Sequence, residues 1–291
     1  MTQVRPRRSV LYMPGSNARA QEKAKSLPCD GIIFDLEDAT AADAKATARE
    51  TVCASVANGG YGGRELIIRV NGLDTPWGRD DVAAAAKAGP DAILLPKVER
   101  AEQVKELESL MLQHGAPAKT SIECMMETPL GILNAKEIAG ASRRIACLVL
   151  GTSDLTKDLH ARHTRERLPM LTSLALCLLA GRAYGLSLLD GVYLDLNDAD
   201  GFKASCTQGL ELGFDGKTLI HPSQIEPCNE VFSPSAAELE HARKIILAHQ
   251  QAEKEGKGVV LVDGKLVENL HVENAKRLVG MAEAIERIQK R

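Results

Sequence analysis

Three carboxylates crowd the end of one apolar run, Ile32-Ile33-Phe34-Asp35-Leu36-Glu37-Asp38, and two more close later runs. Glu127 ends Ser121-Ile122-Glu123-Cys124-Met125-Met126-Glu127, and Asp154 follows Cys147-Leu148-Val149-Leu150-Gly151-Thr152-Ser153. A carboxylate at the end of a buried strand is costly unless it is paired or coordinated. Mg²⁺ takes oxygen ligands and is held by one or two carboxylates, with room left for water and substrate oxygens. Glu127 and Asp154, on consecutive runs, are therefore the candidate metal ligands. Taken singly, each could instead cap the next helix or pair with an arginine. Alternation puts Asp35 and Glu37 on one face. With Asp38 they are expected to hold metal-bound water or a nearby arginine, although Asp38 could simply cap a helix beginning near Ala39-Thr40.

Arg69, in Leu66-Ile67-Ile68-Arg69-Val70-Asn71, is an unusual charge inside a strand. It is either a structural counterion or a planar fork for a substrate carboxylate or a developing enolate oxygen. Lys97, in Leu94-Leu95-Pro96-Lys97-Val98-Glu99, could form a Schiff base, but among so many acids an ion-paired lysine is expected. Arg7, Arg8, Arg19 and Lys23 flank the first strand and its helix, where they could hold phosphates near a barrel mouth. His160 and His163 sit in a polar loop, where they could bind a metal but read better as solvated. His221, in Ile220-His221-Pro222, could hydrogen-bond within a barrel mouth. Neither Gly-x-Ser-x-Gly nor a Ser-His-Asp order stands out.

Eight β-rich runs, at residues 10–13, 31–36, 65–70, 92–96, 120–126, 146–150, 188–194 and 218–220, alternate with amphipathic stretches such as 79–88, 101–114 and 169–184. Eight such alternations in 291 residues predict an α/β fold of the (β/α)₈ TIM-barrel type, whose active sites lie at the carboxyl ends of the strands. A doubly wound open sheet is the rival, but no Gly-x-Gly-x-x-Gly follows the first strand. The chain changes character after Phe232-Ser233-Pro234-Ser235. Ser235 with Glu238 reads as a capping box opening a helix to about Glu255. A strand at 259–262, an Asp263-Gly264 hairpin turn and a last helix from about Val272 follow. The expected division is a catalytic barrel over 1–232 and a helix-hairpin-helix extension over 233–291, too small for a core of its own.

The charge balance is 36 basic against 39 acidic side chains, and aromatics make up 3% of the chain; neither suits nucleic acid. No apolar run is long enough to span a membrane. The basic N-terminus leads into too short an apolar run for a signal peptide. Seven cysteines, odd in number and without a Cys-x-x-Cys pair, read as buried free thiols in a reducing cytoplasm.

The segments R-R-S-V-L-Y-M-P-G-S, I-I-F-D-L-E-D-A, I-I-R-V-N-G, L-L-P-K-V-E, M-M-E-T-P, L-G-T-S-D-L and F-D-G-K-T-L-I-H-P-S-Q-I resemble the citrate lyase beta-subunit-like group of the HpcH/HpaI aldolase superfamily. The resemblance runs from Arg7 to the last helix. It implies a Mg²⁺-dependent barrel (Mn²⁺ being the substitute) acting on CoA esters and assembled as homotrimers or hexamers. It places the metal on Glu127 and Asp154, substrate on Arg69, the D-L-E-D acids on Asp35, Glu37 and Asp38, and CoA contacts on Arg19 and Lys23. Many lyases of the group carry D-G-x-M-I-D-x-P in the tail, and its second Asp enters a neighbouring subunit's site as acid/base. Here Glu268 takes that position, in Val267-Glu268-Asn269-Leu270-His271, and this tail is more similar to the malyl-CoA thioesterase branch. The first expectation is a C–C lyase splitting a malyl-, citramalyl- or citryl-CoA type 3-hydroxyacyl-CoA into an acyl-CoA and a 2-oxo acid. The alternatives are a thioesterase for the same esters and a non-catalytic subunit of a citrate lyase-like complex.

Overall fold

Eight parallel strands form a closed barrel: β1 (Ser9–Pro14), β2 (Gly31–Asp35), β3 (Glu65–Arg69), β4 (Ala92–Leu95), β5 (Ser121–Met126), β6 (Ile145–Leu150), β7 (Ser187–Asp190) and β8 (Gly216–Leu219). They pair in chain order, and β8 returns to β1 with Ser9 opposite Lys217. The computed structural model describes residues 5–254 and 260–290. Helices follow the strands: α1 (Ala18–Ala24), α2 (Lys45–Asn58), α3 (Gly78–Ala88), α4 (Ala101–Gln113), α5 (Pro129–Leu133), α6 (Ala135–Ala139), α7 (Thr152–Asp158), α8 (Leu171–Ala183), α9 (Ala199–Leu212) and α10 (Ile225–Phe232). The expected TIM barrel is the observed fold.

Strand alternation divides the apolar side chains into two cores. Val10, Ile33, Ile67, Leu94, Met125, Val149 and Leu189 pack together inside the barrel. Leu11, Ile32, Phe34, Ile68, Ile93, Leu95 and Leu148 belong to the layer between strands and helices. The period of two carries Asp35 onto the face of Ile33 and Arg69 onto the face of Ile67. Both are buried at the carboxyl end of the barrel.

Three expectations change. The run at 188–194 leaves the sheet at Asp190, and β8 begins at Gly216 and stops before Ile220. Arg7 and Arg8 do not lie near the mouth, because they precede β1 and so sit at its amino end. Arg7 forks onto Glu65 at 2.6 and 2.7 Å, and Arg8 onto Asp30 at 2.8 and 2.7 Å.

Asp190 explains where β7 ends. It takes both carboxylate contacts of the Arg167 Nη1 at 2.7 Å, the Lys217 Nζ at 2.8 Å and the Gly191 N–H at 2.8 Å. Burial alone would raise its pKa, but Lys217 and Arg167 outweigh that and hold it below the usual carboxylate range. The ion pairing therefore stabilises the fold above the unfolded value of about 3.9 and is lost as pH falls through the lower folded value. Asp190→Asn leaves the buried Lys217 and the partly buried Arg167 short of a partner and should cost about 3–5 kcal/mol. Denaturant titration at neutral pH measures the cost, and the variant's stability should fall less between pH 5 and 2 than the parent's.

The chain forms two compact units, Arg7–Phe232 and a second that runs from Ser233 and includes Arg5 and Pro6. The second contains α11 (Ala236–Lys254), β9 (Val260–Val262), β10 (Lys265–Val267) and α12 (Asn269–Gln289). Ser235 and Glu238 form the capping box: the Ser235 hydroxyl accepts the Glu238 N–H at 3.2 Å, and the Glu238 carboxylate accepts the Ser235 N–H at 2.8 Å. Asp263 and Gly264 both have positive φ, 49° and 76°, as a tight hairpin turn requires. Residues 255–259, where a helix end and the start of a strand are expected, lie outside the described residues. The extension does have an apolar core of its own, in which Ala242, Ile245, Val262, Val267, Val272 and Ala275 are buried together. The last helix starts at Asn269, three residues earlier than expected, because Glu268 serves as its N-cap. No helix among the described residues is long and apolar enough to cross a membrane.

Candidate active site

A cavity of about 340 Å³ opens at the carboxyl ends of the barrel strands, and Asp35, Asp38, Arg69, Glu127 and Asp154 all line it. Glu127 follows β5 directly and is 2% exposed. Its Oε1 accepts the Lys97 backbone N–H at 2.8 Å. A Cβ at position 151 would stand 2.4 Å from Glu127 Oε2, so only glycine lets the β6 end pass this carboxylate. Burial pushes the Glu127 carboxyl up to about 7, with Arg69 and the Lys97 N–H working in the opposite direction. A cation beside it would restore the charged form.

Asp154 is not at a strand end. The strand stops at Leu150, and Asp154 lies in the first turn of α7, half-buried, with Lys157 Nζ at 3.2 Å. Gly151-Thr152-Ser153 already carries the chain into the helix. Among the described residues no three His, Cys, Asp or Glu side chains converge as a ready-made cage. Two carboxylates on one cavity are the donor set available, which suits Mg²⁺ with water and substrate oxygens completing its shell.

Arg69 is the electrostatic hub. Its Nε and Nη2 fork onto Asp35, both at 2.7 Å, while Nη1 lies 3.0 Å from Glu37 and 3.5 Å from Asp38. Its guanidinium stacks 5.0 Å from the centre of the Tyr12 ring. Asp35 also accepts the N–H groups of Glu37 and Ala39 at 2.9 and 3.0 Å, which fixes the loop after β2. Both fork donors of Arg69 are thus occupied by Asp35, and Nη1 is the donor left towards the outer acids. Burial raises the Glu37 carboxyl, while Arg69 and Lys97 oppose the rise. A lysine cannot reproduce the fork. Arg69→Lys should lose one charge-assisted hydrogen bond, about 1.5–3 kcal/mol, and lower turnover roughly tenfold or more. Kinetics and a thermal melt of the same sample would show it; an unchanged variant would make the fork dispensable.

Several lining residues escape the sequence reading. Tyr12, Thr152, Val192, Thr218 and Ile220 border the cavity. Arg19 and Lys23, the expected CoA contacts, are exposed on α1, one helical turn apart. Lys97 pairs with Glu37 through Nζ, as an ion-paired lysine should. His221 caps a short 3₁₀ turn, its Nδ1 accepting the Ser223 N–H at 3.2 Å. Glu268 is exposed in the C-terminal unit, where its N–H donates to His271 Nδ1 at 3.0 Å.

The barrel and its mouth coincide with one recorded family pattern, HpcH/HpaI aldolase/citrate lyase, over residues 8–222. The chain belongs to this family. Similarity within it extends end to end. A (3S)-malyl-CoA thioesterase of Cereibacter sphaeroides is 52% identical over 97% of both chains. Citrate lyase subunit beta of Leuconostoc mesenteroides subsp. cremoris is 38% identical over 98% of this chain and 96% of its own. Among solved structures, CitE from Mycobacterium tuberculosis in complex with magnesium, acetoacetate and coenzyme A has a TM-score of 0.75 at 27% identity. That match covers 96% of this chain and 98% of the other. The expected family is thereby established.

Proposed function

We propose that the protein hydrolyses a short 3-hydroxyacyl-CoA of the (3S)-malyl-CoA type, using a divalent cation, Mg²⁺ or Mn²⁺. The observation that carries this reading is the end-to-end 52% identity to (3S)-malyl-CoA thioesterase, joined to a mouth cavity lined by Glu127, Asp154 and Arg69. Glu127 and Asp154 would hold the ion. When bound, the ion supplies Lewis acidity towards the hydroxyl and carboxylate oxygens of the malyl end. Asp35 keeps the Arg69 guanidinium in one plane, and Arg69 offsets negative charge growing in the cavity. Tyr12 and Met125 wall the cavity. Arg19 and Lys23 offer charge to the phosphates of the CoA arm. Glu268 is the proposed base, supplied by a neighbouring copy. It takes a proton from a water as the water oxygen bonds to the thioester carbonyl carbon; the C–S bond then breaks and the proton passes to the leaving sulfur, giving the free acid and free CoA.

The second reading is cleavage of the Cα–Cβ bond of the same ester, with Glu268 removing the hydroxyl proton. It is supported by 38% identity to citrate lyase subunit beta and by the CitE structure holding acetoacetate. The test is purified protein with Mg²⁺ and a panel of malyl-, citramalyl- and citryl-CoA, following free thiol and 2-oxo acid separately. Free CoA without oxo acid is expected. Oxo acid without free CoA would replace hydrolysis by the lyase reading.

A further inference from the structure

Lys97 is drawn into the acid cluster by both its backbone and its side chain. Its φ is 49°, a left-handed conformation that a side chain with a Cβ adopts only at a cost. That conformation aims the Lys97 N–H at Glu127 Oε1, 2.8 Å away. The same residue sends its ammonium onto Glu37, to 3.8 Å from Asp38 and 4.0 Å from Asp154. One strained residue therefore touches a carboxylate from each of the loops after β2 and β5 and approaches one on α7. Strain of this kind persists where surrounding contacts over-determine it.

The charges define what the ammonium does. Asp35, Glu37, Asp38, Glu127, Asp154 and Asp158 meet four cations, Arg69, Lys97, Lys157 and Lys45. With every carboxylate ionised, two negative charges remain, the complement of one divalent ion. Arg69 is committed to Asp35, and Lys157 is an exposed neighbour of Asp154 alone among the cavity acids. Lys97 is the cation that stands among the rest.

We propose that the Lys97 ammonium is a built-in counter-cation that shares Glu37 and Asp154 with the incoming divalent ion and so lowers the affinity of the site for that ion. It holds the carboxylates together before the ion arrives and repels the ion once it is there, which keeps the metal exchangeable. Its backbone, independently, orients Glu127. Lys97 is a positioning residue here, and the inference rests on the reading that Glu127 and Asp154 hold the ion.

The test is calorimetric titration of the metal-free full chain with Mg²⁺, and separately Mn²⁺, at fixed pH and ionic strength, with thermal melts in chelator. Lys97→Met removes the charge and keeps the stem; Lys97→Gly removes the charge and also relieves the backbone; Lys97→Arg keeps the charge. Removing a positive charge that lies 4.0 Å from the Asp154 carboxylate, in a solvated site, should tighten binding by about tenfold. Lys97→Met and Lys97→Gly should both show that gain and a larger rise in melting temperature on adding Mg²⁺; Lys97→Met, which keeps the backbone strain, should also melt lower without metal. Lys97→Arg should bind Mg²⁺ within about twofold of the parent. Unchanged or weaker Mg²⁺ binding in the Met and Gly variants would overturn the proposal and reduce Lys97 to a tether for Glu37. If Lys97→Met does not fold, Lys97→Gly alone decides. Glu127→Gln in the same titration separates the two layers: Mg²⁺ binding equal to the parent's there would remove the metal reading itself.

Discussion

Glu127→Gln and Asp154→Asn should each lower Mg²⁺-dependent turnover by about 10³-fold or more, because under the proposed function each removes a metal ligand and forfeits several kcal/mol of charge stabilisation in the transition state. The two variants should differ in stability. Glu127 is buried, and its carboxyl is pushed up to about 7 by that burial. A raised folded-state pKa means that ionising the group costs the fold. The metal-free parent keeps its full stability below the unfolded value of about 4.3 and loses part of it as pH rises through about 7. The neutral amide of Glu127→Gln still accepts the Lys97 N–H and has no charge to bury. In chelator at pH 8 it should therefore be more stable than the parent, by about 1–3 kcal/mol. Asp154 is half-buried and paired with Lys157, so Asp154→Asn should melt close to the parent. Activity assays with and without chelator, together with melts at pH 5 and 8, separate these effects. Full turnover in excess chelator would remove the metal from the proposed reaction. A lower melting temperature for Glu127→Gln at pH 8 would show that the carboxylate is not strained by burial.

The reason to expect inactive yet stabler protein is general. Groups that serve chemistry are held where the fold alone would not choose them. The same principle marks what the sequence made legible. Strand runs with a period of two were readable, and so was the inward face carrying Asp35 and Arg69, since Ile33 and Ile67 set the alternation. The Ser235–Glu238 box and the Asp263-Gly264 turn were readable because each is a local device. Four features depend on contacts distant in sequence and were missed. Val192-Tyr193-Leu194 looks like more strand, but Asp190 is captured by Arg167 and Lys217 and ends it. Arg7 and Arg8 look like a phosphate patch until strand direction places them at the amino end of the barrel, against Glu65 and Asp30. Lys97 looks like any lysine after a proline, since nothing in Pro96-Lys97-Val98 announces a left-handed φ or an N–H bound to a carboxylate thirty residues on. Tyr12 is similar: its stacking on Arg69 joins β1 to β3 across the interior.

Glu268→Gln should reduce turnover by about 10²–10⁴-fold while CoA-ester binding changes little, the magnitude that general acid–base catalysis contributes. The substitution keeps the size of the side chain and an acceptor oxygen for the helix cap, and removes the titratable base. The competing role is on view in the fold: Glu268 is the N-cap of α12, and its N–H is bound by His271 Nδ1 at 3.0 Å. A cap alone would cost about 0.5–2 kcal/mol when lost and would leave kcat untouched. Apolar neighbours argue for more than a cap. Val267 is buried in the unit's own core, but Leu266 is 52% and Leu270 is 61% exposed on either side of the carboxylate. Exposed leucines flanking an acid suit a surface that another copy covers, where the carboxylate would meet a drier setting than solvent. Glu268→Ala completes the comparison, since it removes cap and base together. If Glu268→Gln were silent and Glu268→Ala only lowered the melting temperature, the residue would be a cap, and the base for hydrolysis would have to be sought within the barrel. If both lost turnover, with KM nearly constant and the acidic limb of the pH–rate profile abolished in Glu268→Gln, the tail would be part of the catalytic machinery. Mixing Glu268→Gln subunits with Glu127→Gln subunits then gives the sharpest reading. Recovery of part of the activity in the mixture requires that one chain supply the metal ligands and another the base, and a mixture as inactive as its parts would rule out that exchange.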